Sequence, residues 1–354
     1  MPYYTAVLPQ VPEACAGPIR RCSLPPVKAW VVRELGGPES LRLEEIDPGK
    51  PAEDMVRIKV RAAAINFPDA LMVAGLYQVK PELPFVPGVE VSGEVVSAPS
   101  ASGFKPGDRV MALVDNIGLT HGGYSQLADA APSSVTRIPD TMAFEEAAGF
   151  TLIFQTGWFG LHRRANLQPG ETLLVHAGAG GVGSAAIQLG KAAGATVIAT
   201  AGSDAKVEVC RNLGADHAVN YKTQDFVEEV KKITAGRGAD VVFDPIGGDV
   251  YDRSTKCIAF EGRIVIVGFT SGRIPQAAAN HVLIKNYSVV GLHWGLYTRR
   301  APQLIAPAMK ALLDLCEAGK IKTYIGTQLP LSDAPRALAT VAEGKSTGKV
   351  ILTV

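Results

Sequence analysis

The sequence has little of what marks membrane, exported or nucleic-acid-binding proteins. No stretch of its 354 residues approaches the roughly 20 uninterrupted apolar residues that a membrane-spanning helix needs. No charged start leads into the apolar core of an export signal. Thirty-five Lys and Arg against 34 Asp and Glu leave a formal net charge of +1, so no overall field attracts a nucleic acid or an anionic membrane. We therefore expect a cytoplasmic protein whose partners are small molecules.

Cysteine is also scarce. The cysteines are odd in number and form no C-x-x-C pair; they are Cys15, Cys22, Cys210, Cys257 and Cys316. This distribution fits neither a disulfide framework nor a structural zinc lobe, because both need regularly spaced cysteines. We expect all of them to be reduced thiols.

Apolar residues, by contrast, make up 47% of the chain, which is enough for two domain cores of ordinary size. Residues 1–27 are rich in proline and lack helical or strand periodicity, so we interpret them as an N-terminal extension, either packed or disordered. From residue 28 to about 139, short β-branched runs at 55–63, 89–97, 109–114 and 124–127 are separated by Gly and Pro. That spacing predicts a small, partly closed β domain.

After residue 139 the pattern changes to strands that alternate with helices. The predicted strands lie at 172–176, 196–200, 218–219, 240–243, 263–267 and 288–292. Helical stretches at 182–193 and 205–213 end at Gly194 and Gly214, which both fit as C-caps. Right-handed crossovers then predict an α/β fold with a doubly wound sheet of six parallel strands, the Rossmann arrangement. Residues 301–354 contain one long helical pattern and a final Val350-Ile351-Leu352 run that could complete the sheet of the first domain.

The strongest local signal is a glycine-rich loop, Gly178-Ala179-Gly180-Gly181-Val182-Gly183, which follows a predicted strand and opens a predicted helix. In this context G-x-G-x-x-G is typical of a dinucleotide site. The early glycines allow the backbone to approach a pyrophosphate, and the helix N-terminus supplies unpaired N–H groups. Gly183 would let the helix pack close to its strand. The competing interpretation is a glycine turn kept only for packing.

The end of the second strand of this unit indicates which dinucleotide is bound. NAD enzymes usually present an acid there, whereas this chain has the small residues Gly202 and Ser203, with Lys206 one helical turn further on. Lys206 suits a 2′-phosphate, so we expect NADPH. Asp204 leaves two interpretations open: an ordinary acid in a first helical turn, or a group that discriminates against phosphate. Tyr221 follows the third strand and could stack on adenine or serve only in packing.

Several short motifs make the chain similar to a known family. They are Ala64-Ile65-Asn66-Phe67-Pro68-Asp69, Gly75-Leu76-Tyr77, Pro87-Gly88-Val89-Glu90, the loop 176–183, the segment 202–206 and Gly348-Lys349-Val350. Together they resemble the medium-chain dehydrogenase/reductase superfamily, and within it the zinc-free quinone oxidoreductase branch that includes ζ-crystallin. The resemblance extends from about residue 28 to 354. It implies a GroES-like domain at 28–150, completed by 295–354, and a Rossmann domain at 151–294, with the active site in the cleft between them.

The resemblance also bears on metal binding. The zinc alcohol dehydrogenases of the superfamily carry a cysteine where this chain has Asn66, and a Gly-His-Glu triplet where it has Gly88-Val89-Glu90. A catalytic zinc needs three converging protein ligands, and the histidines of this chain show no ligand-like pairing. We therefore expect no metal, and we interpret Glu90 as a buried structural carboxylate.

Further site residues follow from the resemblance alone. It implies that the segment from Asn66 to Ala70, including Phe67 and Asp69, borders the nicotinamide and its ribose, and that Thr156 approaches from the Rossmann side. The remaining implied cofactor contacts are Gly180, Gly181, Val182, Gly268, Phe269, Leu292, His293, Trp294, Gly348 and Lys349.

Asn66 and Tyr77 are the catalytic candidates. The Asn66 amide offers a donor and an acceptor, so it could orient the nicotinamide carboxamide or the acceptor oxygen, although an Asn before an aromatic and a Pro is also a common turn residue. The Tyr77 hydroxyl could deliver a proton after hydride addition, or Tyr77 could simply form a wall of the pocket. Without a metal, the substrate itself must already be electrophilic, so that catalysis rests on positioning and exclusion of water.

The sequence and the resemblance leave three functions open. The leading one is NADPH-dependent reduction of quinones, by hydride or by single electrons. The second is reduction of an α,β-unsaturated carbonyl or enoyl thioester in the same cleft. The third is an NADPH-binding protein with a structural or sensing role. The resemblance also implies a homodimer in which two copies pair through the apolar edge strand near 287–291.

Overall fold

The computed structural model describes residues 25–115 and 118–354. Residues 1–24 lie outside the described residues, and with them Cys15, Cys22 and almost all of the predicted N-terminal extension. The first strand begins at Val27, the last residue of that predicted extension. Because residues 1–24 are not described, the extension itself stays a prediction.

The first part of the chain is rich in β structure, as its sequence predicts. Its helices are α1 Phe67–Val73 and α2 Phe144–Ala148, and its strands are β1 Val27–Val32, β2 Leu41–Ile46, β3 Val56–Ile65, β4 Glu90–Ser97, β5 Arg109–Leu113, β6 Leu127–Ala130 and β7 Val135–Arg137. The prediction of a strand at 124–127 is wrong except at its last residue, since β6 begins only at Leu127. Tyr124 lies before it and is fully buried, with its hydroxyl donating to Asp69 Oδ2 at 2.9 Å.

The middle of the chain alternates helix and strand. Its elements are α3 Thr151–Trp158, which continues into a π-helical turn at Phe159–Arg164, then β8 Thr172–Val175, α4 Gly181–Ala192, β9 Thr196–Ala201, α5 Asp204–Asn212, β10 His217–Asn220, α6 Phe226–Ile233, β11 Ala239–Asp244, α7 Gly248–Ser254, β12 Ile258–Ile266, α8 Ala279–Lys285 and β13 Ser288–Gly291. Gly194 and Gly214 follow α4 and α5 with φ of 80° and 101°, which confirms them as the glycines that end these helices.

The strands from β8 to β13 form one parallel sheet. Within the described residues its order is β10-β9-β8-β11-β12-β13, with every pairing parallel. All four side chains of the central strand β8 are buried, as expected for a strand covered by helices on both faces. The predicted doubly wound parallel sheet is confirmed, although β12 begins at Ile258 rather than at 263.

The C-terminal part of the chain differs from its sequence prediction. The sequence predicts one long helical pattern from 301 onward, but the structure has α9 Gly295–Arg300, α10 Ile305–Glu317, β14 Ile325–Pro330, α11 Ala334–Ala342 and β15 Lys349–Thr353. Gly319, with φ of 66°, follows α10 and stops the helix. The expectation that the last apolar run completes the first sheet is confirmed, because β15 pairs antiparallel with β3.

The first sheet has the order β14-β15-β3-β4-β5-β7, and β6 also pairs with β3. The segment 295–354 contributes to two hydrophobic cores. Ala308, Met309 and Leu312 of α10 pack with the core of the parallel sheet. Side chains of α11 and β15 pack with the first sheet. The predicted limits at 28–150, 151–294 and 295–354 stay predictions, and this packing favours a boundary between α10 and α11 over one at 294.

Candidate active site

A cavity of about 430 Å³ lies between the carboxyl edge of the parallel sheet and the first domain. Predicted site residues from distant parts of the sequence line it together: Asn66, Phe67, Gly180, Gly181, Val182, Gly202, Lys206, Tyr221, Gly348 and Lys349. A crevice at the carboxyl ends of the strands is where open α/β sheets bind their ligands. The cavity is therefore the candidate active site.

The glycine loop forms the floor of this cavity. The Gly180 amide donates to Ala177 O at 2.8 Å, which closes a tight turn after β8, and the Gly178 amide donates to Thr200 O of β9 at 2.9 Å. α4 then begins at Gly181, with no side chain among the described residues capping its N-terminus. Without a side-chain cap, the first turn of α4 can offer backbone N–H groups to an anion, as in dinucleotide-binding loops.

Gly183 is required by close packing, as the sequence predicts. A Cβ atom at this position would overlap the carbonyl group of Ala177 and approach the Cα atom of Gly178. Both contacts are backbone atoms that cannot move aside without opening the turn. Glycine here lets α4 lie directly against the loop.

One end of the cavity carries the residues predicted to select the cofactor. Ser203 is the N-cap of α5, and its Oγ accepts from the Lys206 amide at 3.3 Å. The Lys206 ammonium donates to Ser346 O at 2.9 Å. Asp204 Oδ1 accepts from Asn220 Nδ2 at 2.7 Å, and Asp204 does not line the cavity. Of the two interpretations of Asp204, the structure favours the residue of an ordinary first turn.

The opposite end of the cavity contains a buried ion pair. The Lys349 ammonium donates to Asn66 Oδ1 at 2.6 Å and to Glu90 Oε2 at 3.2 Å. The lysine and glutamate side chains are 3% and 0% exposed. Glu90 Oε1 accepts from the Leu152 amide at 2.8 Å, and Asn66 Nδ2 donates to Glu90 Oε2 at 3.3 Å. Both ends of the Asn66 amide are thus already hydrogen-bonded within the protein.

Asp69 is fully buried and serves the fold beside this ion pair. Asn66 and Asp69 form a capping box at the start of α1, in which the Asn66 backbone N–H donates to Asp69 Oδ2 at 2.8 Å. Burial raises the pKa of Asp69 to about 7, against the opposing effects of the Asn66 and Val89 backbone N–H groups, the Tyr124 hydroxyl and the Lys349 charge. Asp69 does not line the cavity, so its contact with a cofactor stays a prediction.

Tyr77 follows α1 and is half-buried. Burial raises the pKa of its hydroxyl, and the charge of Asp69 raises it further. Tyr77 is not part of the cavity lining, so its catalytic role also stays a prediction. A proton donor with a raised pKa stays protonated at neutral pH, as such a role requires.

The remaining predicted residues lie outside the cavity lining, and their roles stay predictions: Thr156, Ser203, Gly268, Phe269, Leu292, His293 and Trp294. Thr156, Leu292 and Trp294 are buried, whereas His293 is exposed. The Trp294 Nε1 atom is buried and has no hydrogen-bond partner within the described residues.

Sequence reasoning missed one wall of the cavity. Pro245 and Ile246 follow β11 and are shaped by Asp244, whose Oδ1 accepts from the Ile246 and Gly247 amides at 2.8 and 2.9 Å. Ser271 and the segment 341–346 complete this side. The available signal was the end of β11, since the carboxyl ends of parallel strands surround the ligand.

The described residues also bear on metal binding and on membrane insertion. Within residues 25–115 and 118–354, no group of three or more His, Cys, Asp or Glu side chains is arranged to hold a metal ion. In the same ranges no helix combines the length and the apolar character needed to cross a membrane.

Two family models match the chain. Residues 52–140 match the alcohol dehydrogenase GroES-like domain, and residues 181–311 match the zinc-binding dehydrogenase family. The first match confirms the expected GroES-like character of the β-rich domain.

Individual proteins match over nearly the whole chain. A quinone oxidoreductase-like protein 2 homolog of Nematostella vectensis is 37% identical over 92% of this chain and 88% of its own length. The structure of Escherichia coli quinone oxidoreductase complexed with NADPH superposes with a TM-score of 0.83 at 31% identity, covering 94% of this chain and 100% of that one. CurK enoyl reductase gives a TM-score of 0.80 at 31% identity, covering 93% and 99%.

Proposed function

The chain belongs to the quinone oxidoreductase branch of the medium-chain dehydrogenase/reductase superfamily, and from this premise we propose that it reduces quinones with NADPH. The observation that carries the proposal is one cavity that joins the glycine loop, Lys206 and the Asn66–Lys349 pair. An elongated dinucleotide has phosphates near its middle and a nicotinamide at one end. This cavity offers a matching group at each of those positions.

The residues of the cavity fit NADPH from one end to the other. The uncapped first turn of α4, at Gly181 and Val182, suits the pyrophosphate. Lys206, with Ser203 and Tyr221 beside it, suits the phosphorylated adenosine. Asn66, Phe67 and Lys349 then surround the nicotinamide. When bound, the cofactor supplies a hydride, and the protein's part is to orient the acceptor and exclude water.

We propose that the reaction needs no metal. Glu90 is the acidic side chain at the inner end of the cavity, and its carboxylate already holds a lysine ammonium and two N–H donors. A metal ion there would have to displace the ammonium, while Asn66 is a poor ligand for zinc. A site without a metal ion is best suited to substrates that are electrophilic without a Lewis acid, such as quinones.

Reduction of an enone or enoyl thioester is the second candidate. It is favoured by the likeness to CurK enoyl reductase, and Tyr77, whose pKa is raised by burial and by the charge of Asp69, is its candidate proton donor. Unlike a quinone, an enoyl substrate needs a proton delivered to carbon after hydride addition, which gives Tyr77 a defined task. A non-catalytic NADPH-binding role is the third candidate, and it predicts cofactor binding without turnover of any acceptor.

One assay separates the three candidates. Consumption of NADPH and of NADH is followed with 1,4-benzoquinone, 9,10-phenanthrenequinone and a crotonyl thioester as acceptors. We expect turnover with the quinones and a clear preference for NADPH. Turnover of the thioester alone supports the second candidate, and binding of NADPH without turnover supports the third.

We also propose a cytoplasmic homodimer. The edge strand β13 has one neighbour, β12, within the described residues, so its other edge is open to pair with a second copy. The preceding helix α8 exposes Leu283 and Ile284, each 79% exposed, next to that edge. A monomeric mass by light scattering at micromolar concentration would reject the dimer.

A further inference from the structure

The ion pair of Lys349 and Glu90 is unusual because it is buried at the wall of the active-site cavity. The two side chains are 3% and 0% exposed, and Lys349 lines the cavity. Taking both charges out of water is costly, and a well-packed apolar pair often stabilises a fold as well or better. Stability alone therefore gives no reason for an ammonium at this position.

The hydrogen bonds of the ammonium leave one donor available. A lysine ammonium has three N–H donors and no acceptor. Two of them are directed to Asn66 Oδ1 and Glu90 Oε2, at 2.6 and 3.2 Å. Across residues 25–115 and 118–354, no other atom accepts from Lys349 Nζ. The third donor is thus free for an oxygen atom of a ligand in the cavity.

The surrounding groups hold the ammonium in place. Glu90 is fixed from the other side by the Leu152 amide, which donates to its Oε1 at 2.8 Å. The Lys349 stem passes the glycine loop, so that a Cβ atom at Gly181 would lie 3.5 Å from Lys349 Cδ. The Lys349 charge also lowers the pKa of the nearby Asp69 carboxyl group, against the larger effect of burial. The ammonium is therefore positioned between the start of α4 and the first sheet.

We propose that Lys349 is the electrophilic group of the active site, donating a hydrogen bond to the carbonyl oxygen of the substrate while Glu90 positions its ammonium. This rests on the proposed reduction of a quinone or enone. The electron pair that arrives with the hydride leaves negative charge on that oxygen, where a fixed cation lowers its energy. For a quinone, a proton from solvent then forms the new O–H bond. For an enone, the proton goes to the α-carbon of the enolate and the carbonyl group is restored. Lys349 donates a hydrogen bond in both cases and gives up no proton.

The proposal gives Asn66 a different role from the one predicted. Its Oδ1 accepts from Lys349, and its Nδ2 donates to Glu90, so the amide has little capacity left for the acceptor oxygen. Asn66 is instead a positioning residue that helps to hold the ammonium.

Equilibrium binding of a phenolate tests the proposal without turnover. 4-Nitrophenol resembles a reduced quinone and changes its absorbance on ionisation, so its pKa when bound reports a cation next to its oxygen. We expect the wild-type protein to lower the pKa of the bound probe by at least about one unit, a tenfold preference for the phenolate. Lys349→Met should abolish this shift, and the matched exposed control Lys320→Met should retain it.

Glu90→Gln separates an electrophilic role from a structural one. Removing the carboxylate leaves the ammonium uncompensated, so phenolate should bind more tightly than in the wild type. If the pair only supports the fold, Glu90→Gln and Lys349→Met should weaken binding alike. The double variant Lys349→Met/Glu90→Gln leaves no unpaired buried charge, and we expect it to fold and to lack the pKa shift.

A parallel measurement distinguishes failure of the role of Lys349 from failure of the proposed function. NADPH binding is measured in parallel by the fluorescence of the reduced nicotinamide. A wild-type protein that binds and oxidises NADPH but leaves the probe's pKa unchanged, or does not bind the probe, overturns the role of Lys349 alone. Retention of the shift in Lys349→Met overturns it as well. Failure to bind NADPH overturns the proposed function instead.

Discussion

Lys206 donates a hydrogen bond from Nζ to the carbonyl oxygen of Ser346 at 2.9 Å, which links the start of α5 to the segment before β15. The same segment continues to Gly348, whose amide donates to Ala179 O at 2.7 Å, and then to Lys349. One stretch of chain therefore follows the cavity from the end that carries Lys206 to the buried ion pair. Its path explains how residues near the C-terminus come to border a site built on the glycine loop.

Lys206→Met tests the selection of the cofactor. A charge-assisted hydrogen bond is worth about 1.5–3 kcal/mol, so losing the contact to a 2′-phosphate should lower kcat/KM for NADPH by roughly 10- to 100-fold. The value for NADH should hardly change, because NADH lacks that phosphate. Steady-state kinetics with both cofactors measures this, with the exposed Lys256→Met as the control. Equal losses for NADPH and NADH would argue against this role.

Tyr77→Phe distinguishes the two proposed reactions. Quinones can take protons from water, so their turnover should stay within about twofold of the wild type if Tyr77 is only a wall of the pocket. An enone that depends on the hydroxyl should lose on the order of 10²- to 10⁴-fold in kcat. Both rates are measured with the same enzyme preparation, and Tyr297→Phe, whose ring packs on Phe159, is the control. A large loss on quinones would show that the hydroxyl takes part in their reduction.

Gly183→Ala tests the packing of α4 on the glycine loop. The new Cβ atom meets backbone atoms of Ala177 and Gly178, so the loop must open. We expect the free energy of unfolding to fall by about 1–3 kcal/mol, as in other overpacked sites. NADPH binding should weaken in parallel. Urea denaturation measures the stability, and Gly291→Ala, where a Cβ atom meets nothing within 4 Å, should change it little. An unchanged affinity for NADPH in Gly183→Ala would contradict the assigned loop.

Asp69→Asn tests the buried carboxyl group through the pH dependence of stability. Burial raises the pKa of Asp69 from 3.8 to about 7 in the folded protein, so the folded state binds an extra proton between these values. The contribution of this group to stability is therefore full at low pH and is lost as pH rises toward and through 7, by roughly 4 kcal/mol in all.

The Asn66 backbone N–H and the Tyr124 hydroxyl donate to the same Asp69 oxygen, Oδ2, so an asparagine can retain these two hydrogen bonds and carries no charge. The wild type should thus lose stability relative to Asp69→Asn between about pH 4 and 7, as measured by chemical denaturation. Asp140→Asn, which alters a fully exposed side chain, should follow the wild type. Parallel curves for wild type and Asp69→Asn would show that the carboxyl group is not perturbed.

The sequence predicts the parallel sheet well because its strands are short apolar runs between glycine-ended helices. It predicts the glycine loop because the strand, the loop and the helix follow one another directly in the sequence. β14 was missed because Gly326 and Pro330 interrupt its pattern and its residues alternate between half-buried and exposed, with none fully buried. Periodicity carries little signal in such a strand.

The site is predicted where a local motif exists and missed where only the fold brings residues together. Pro245 and Ile246 belong to no motif, and their place on the wall follows from the end of β11. The pair of Glu90 and Lys349 joins residues separated by 259 positions, through the antiparallel pairings of β15 with β3 and of β3 with β4. The resemblance placed Lys349 beside the cofactor, but its ion pair required the structure.

A crystal structure of the protein grown with NADPH tests the central claim most directly. The account predicts the pyrophosphate at the start of α4, the 2′-phosphate on Lys206, and the nicotinamide beside Asn66 and Lys349. An empty cavity at saturating NADPH, or a metal ion bound at Glu90 in place of the lysine ammonium, would contradict it.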